Sequence, residues 1–225
     1  MKRGAASARF AAGARFATAA LIVASAGSAC GGSAPETRYY QLTAPIGQKA
    51  GGGDAILTIE PLQAEGAYDD DRIVYRTSPY RLDFYHYHRW SAPPGALVAD
   101  YLEQALEASG HFRAVFRAPG PRTGAVLGGR LIAIEEVDAS RTRWIGRIVV
   151  ELHLRDAATG EIIWSRQFEE RQPLDRRSPE GLARGISIAA GRIAVRLAPD
   201  VARIALARSA GPRASPSSSS PSRDR

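Results

Sequence analysis

The chain has one cysteine, Cys30, in 225 residues. A disulfide framework is therefore excluded, as are cysteine-based zinc and iron–sulfur sites. Lysine is almost missing, with only Lys2 and Lys49, so nearly all positive charge is arginine. A long hydrophobic run is missing too: the apolar, small-residue stretch at 17–32 falls short of the roughly 20 apolar residues that a membrane span needs. The formal charge of +7 does not mark a nucleic-acid surface. Lys2, Arg3, Arg9 and Arg15 precede the apolar stretch, and Arg213, Arg223 and Arg225 outweigh Asp224 in the tail, so the region between is close to neutral. There is no G-x-S-x-G, Walker loop or H-E-x-x-H. Glu135-Glu136 and Glu169-Glu170 are adjacent carboxylates, but neighbours on a strand point to opposite faces, so neither pair is an acid/base dyad. We expect no catalytic residue, no metal, no cofactor and no enzyme.

What is present begins with an export signal: a basic start, a short apolar stretch and small residues before a cut. If the cut falls before Cys30, that thiol becomes the lipidated N-terminus of a bacterial lipoprotein. Gly27 stands where the usual lipid box carries an aliphatic residue. The competing reading is ordinary cleavage after Ala24-Ser25-Ala26, which leaves Cys30 a free thiol on a soluble periplasmic ligand-binding module or enzyme. The organisation expected is a signal peptide at 1–29, a lipid-anchored tether at 30–53, one domain at 54–208 and a disordered Ser/Pro/Arg tail at 209–225.

Within the domain, strands are expected at 55–62, 72–76, 81–90, 111–116, 126–137, 145–154 and 161–170, with strand-like character at 37–42 as well. Asp156 to Gly160 is a hairpin loop whose glycine suits a positive φ. Pro93 and Pro94 open a helix with Leu97, Val98, Tyr101, Leu102 and Leu106 on one face, and Gly110 stops it. Ser178 caps a second helix that buries Leu182, Ile186, Ala189, Ile193 and Leu197, and Pro199 should kink or break it near its end. The sum is a single α+β domain: an antiparallel-rich sheet of about seven strands with two long amphipathic helices packed on it.

Three clusters are candidates for chemistry. His86 and His88 share a strand face, which could hold a metal, but a third ligand is not evident. Asp69-Asp70-Asp71 lacks the glycine and glutamate of a calcium loop and reads as an acidic turn pairing with Arg72 or Arg76. Aromatics gather at Tyr39-Tyr40, Tyr75, Tyr80 and 84–90, and aromatics are enriched at interfaces. Tyr75, Tyr85, Tyr87, Arg89 and Trp90 are the candidate partner-binding residues, with a plain core-and-strand role as the alternative.

The order of several motifs resembles the ABC-type transport auxiliary lipoprotein family, the PqiC-like group. They are Tyr39-Tyr40-Gln41-Leu42, Ile59-Glu60-Pro61, Asp71-Arg72-Ile73-Val74-Tyr75-Arg76, Arg89-Trp90-Ser91-Ala92-Pro93-Pro94 and Gly110-His111-Phe112-Arg113-Ala114-Val115. The resemblance implies a non-enzymatic lipoprotein anchored through Cys30 on the periplasmic face of the outer membrane. Its partners would be an MCE-domain protein, a permease and an ATPase that move phospholipid or other hydrophobic molecules between membranes. A homo-oligomer is left open. The Ser91-Ala92 pair departs from the family's frequent Ala-Glu before proline.

Overall fold

A computed structural model describes residues 35–44, 52–120 and 123–209. The signal segment, Cys30, most of the tether and nearly all of the tail lie outside the described residues. Residues from Thr37 onward form one compact unit.

Its organising element is a sixteen-residue strand, β7, Ala125–Ser140. One edge of β7 carries a long antiparallel meander, β8 (Arg143–Asp156) and then β9 (Ile162–Leu174). The other edge is shared by three short strands that lie parallel to β7: β2 (Ala55–Ile59), β3 (Gln63–Ala64) and β4 (Arg72–Ser78). Beyond β2 lies β6 (Phe112–Phe116), also parallel. Beyond β4 lies its hairpin partner β5 (Arg81–Trp90), and beyond that β1 (Arg38–Tyr40), parallel to β5. Among the described residues the sheet thus has nine strands and is mixed, against the expected antiparallel-rich sheet of about seven. Alternating apolar residues reveal that a strand has a buried face. They carry no information about the direction of its neighbour.

Two helices, α1 (Pro94–Ala108) and α2 (Pro179–Ser209), pack on this sheet and on each other. Tyr101 of α1 donates to the Ser187 carbonyl of α2 at 2.6 Å. Gly110 ends the α1 region at φ 76°, and Gly160 turns the β8–β9 hairpin at φ 74°, both in the left-handed region glycine tolerates. Ser178 caps α2, its Oγ accepting from the Gly181 N–H at 3.0 Å. The helix continues through Pro199, which does not break it. Val201, Ala202 and Ala205 bury the last turns against the core, while Pro199 stands on the exposed side, where the carbonyl it orphans meets solvent.

The described end of the tether also joins the fold. Residues 38–40 pair with β5, and Leu42 and Ala44 are buried in the core. Within β7 the backbone approaches its neighbour closely at Gly129, where a Cβ would lie 2.1 Å from the Glu151 carbonyl oxygen.

Candidate functional site

Buried and exposed residues do not alternate cleanly along β5. Its pairing with β4 is in register from Arg76/Leu82 to Val74/Phe84 and shifts on either side, before Ser78/Arg81 at the turn and before Arg72/Arg89 at the far end. That irregularity sends the aromatic residues in different directions. Trp90, expected on the contact surface, is a core residue at 1% exposure, and its indole N–H has no hydrogen-bond partner. Tyr87 is exposed. Arg89 turns back to an ion pair with Asp71. Tyr85 is half-buried, with its ring 5.1 Å from that of Tyr75. The five residues therefore do not form one surface patch; Tyr87, with Tyr80 at the β4–β5 turn, is the exposed part.

Tyr75 and Tyr85 instead surround a buried acid. Glu136 accepts from the Tyr85 hydroxyl at 3.0 Å and from Arg177 Nε at 3.0 Å. Arg177 also stacks over the Tyr75 ring and pairs with Asp138. On the opposite face of β7, Glu135 accepts from Tyr68 at 2.6 Å, from Arg76 Nε at 3.0 Å and from Arg147 at 2.8 Å. The two adjacent glutamates point apart, as strand geometry requires, and both are fully buried. Burial pushes the Glu136 carboxyl above its ordinary value, against the pull of Tyr85 and Arg177. Burial, with the Glu135 carboxylate, pushes Tyr68 up to about 12. In both clusters the carboxylate is buried while its arginine partners reach partly into solvent. Buried ion pairs of this kind specify an arrangement more than they stabilise it.

The acidic turn pairs with Arg72, through Asp70, and with Arg89, while Arg76 goes to Glu135. His88 Nδ1 lies 2.8 Å from the Tyr40 hydroxyl, and His86 is exposed. Among the described residues, no three His, Cys, Asp or Glu side chains cluster as a metal site would require. No described helix is long and apolar enough to cross a membrane.

A groove of about 1220 Å³ runs along the outer face of α2. The segment 39–44 forms one wall and Glu170 of β9 belongs to the other. The floor is tied together by Ser187, whose Oγ accepts from the Thr43 N–H at 3.1 Å and donates to the Ala183 carbonyl. Ile188 and Val195 of α2 and Tyr39 of β1 are exposed along it. Tyr39 belongs to the aromatic cluster expected at a contact surface, whereas Ile188 and Val195 were not expected to be functional. The signal was present: Ile188 and Val195 are β-branched apolar residues, seven apart, off the stripe that α2 buries.

The sequence profile described as "ABC-type transport auxiliary lipoprotein component" matches residues 40–198. The chain belongs to this family. Its members are lipoproteins of ABC-type transport, which suggests attachment to a membrane. No curated protein matches. Among solved structures, protein XCC0632 from Xanthomonas campestris, of family DUF330, is similar at 20% identity and a TM-score of 0.66. The match covers 77% of this chain and 99% of that one. A second structure, titled only as an uncharacterized protein, is similar at 15% identity and a TM-score of 0.62, covering 74% and 99%. At these identities the likeness is one of fold.

Proposed function

We propose that this chain is the non-enzymatic, lipid-anchored subunit of an MCE-type ABC transport system, held by Cys30 at the periplasmic face of the outer membrane. In this reading it docks the periplasmic assembly, and phospholipid or another hydrophobic cargo passes through its MCE-domain, permease and ATPase partners. The observation that carries the reading is the family match across 40–198. The position of Cys30 upstream of that match supports the anchor. Tyr80 and Tyr87 are exposed aromatics on the β4–β5 hairpin and are suited to contact a partner.

Affinity capture of the full chain from its native membranes tests the docking role. Co-elution of an MCE-domain protein with a permease and an ATPase is the expected result, and none of them eluting would sink it. Palmitate labelling, with the mass of the mature N-terminus, tests the anchor separately. The expected product begins at acylated Cys30. An unlabelled chain cut after Ala26 would return Cys30 to the free-thiol alternative.

A further inference from the structure

The groove on α2 is chemically uneven. Ile188 and Val195 stand two turns apart on one face of the helix, 47% and 74% exposed, and Tyr39 faces them at 64%. An apolar strip left open at that level calls for an occupant. The charges around it are used unequally. Arg192 and Arg196 both end on Glu170, at 2.7 and 3.1 Å. The Arg184 side chain, toward the start of the same helix face, makes no ion pair or hydrogen bond with any described residue. Glu180, one turn before it, forms no ion pair with it either.

We infer that this groove binds an anionic amphiphile of the long-chain fatty-acid type, its chain along Ile188 and Val195 and its carboxylate on Arg184. One unspent cation beside an apolar floor suits a ligand with one charge and a long apolar body. A partner's amphipathic helix would bring polar groups along both flanks, and most of the charge facing them is already paired. At about 1220 Å³ the groove exceeds the roughly 300–1,000 Å³ of ordinary small-molecule pockets, which suits an extended chain. The guanidinium offers the forked donors that a carboxylate accepts. This ligand site goes beyond the docking role proposed above and does not depend on it, because cargo there runs through the partners.

The test uses the full chain carrying Cys30→Ser, purified without detergent, so that no acyl group on that thiol competes. It is titrated with the fluorescent fatty acid cis-parinaric acid and with its methyl ester. Saturable binding of the acid is expected. Val195→Glu should weaken it at least tenfold by placing a carboxylate on the floor. Arg184→Glu should weaken the acid by about tenfold or more while leaving the ester unchanged. Both side chains are exposed, so circular dichroism and melting should match the parent; Ile188→Ser is the second floor variant should Val195→Glu melt early. The inference is overturned if the parent shows no saturable binding, if the floor variants bind as the parent does, or if Arg184→Glu affects acid and ester alike. Light scattering adds one more outcome: an oligomer that Val195→Glu dissociates, in a chain that binds no probe, would mean that a second copy covers the groove.

Discussion

Trp90 and Tyr87 are three residues apart on one strand and have opposite fates. Trp90 fills the core, so Trp90→Ala should cost about 3–5 kcal/mol in urea unfolding, chiefly through the cavity left behind. Tyr87→Ala should stay within about 0.5 kcal/mol of the parent and, in the docking reading, weaken partner capture. Glu136 supplies a pH prediction. Its folded pKa is raised above the ordinary value of 4.5 by burial, so the native state holds its proton to higher pH than the unfolded chain does. The contribution of this group is then fully present below about 4.5 and is lost as pH rises through the folded value. Unfolding of the parent and of Glu136→Gln, followed from pH 4 upward, should show the parent losing ground to the variant across that window. A gap between them that does not change with pH would contradict the assignment.

At the scale of elements, much of the fold could be read from the chain. The helix openings at Pro94 and Ser178, the stop at Gly110 and the Gly160 hairpin follow from local chemistry, and each is found where it was expected. Two things could not be read. One was strand direction, since β2, β3 and β4 share an edge of β7 through pairings that local pattern does not encode. The other was register, because the shift between Val74 and Arg72 scatters the aromatic cluster that a regular strand would have kept on alternating faces. Pro199 shows the competing force plainly. Its intrinsic cost in a helix is about 3 kcal/mol, yet the buried side of α2 continues on either side of it. Pro199→Ala should therefore stabilise the protein, by about 1–3 kcal/mol in urea unfolding, without lengthening the helix.

For the whole molecule, the candidate site was only partly legible. The exposed apolar pair on α2 was in the sequence, but the wall that makes it a groove comes from residues 39–44, far away in the chain. Protection should follow the same architecture. Amide exchange should be slowest through the middle of β7 and β8, which are paired on both edges, and fastest in β1.

The position of β1 has a mechanical consequence. In the proposed role, a chain tethered to a membrane and docked to a moving assembly would be under tension, and any pull arriving from before Thr37 would reach β1 first. That strand is three residues long and pairs with β5 alone, followed by the buried Leu42 and Ala44, whereas β7 is held along both edges. Force would peel β1 away before it disturbed the central sheet, lengthening the leash by several residues and removing one wall of the α2 groove. On that reading β1 is a short fuse between the proposed anchor and the body, and what that fuse releases is the groove itself.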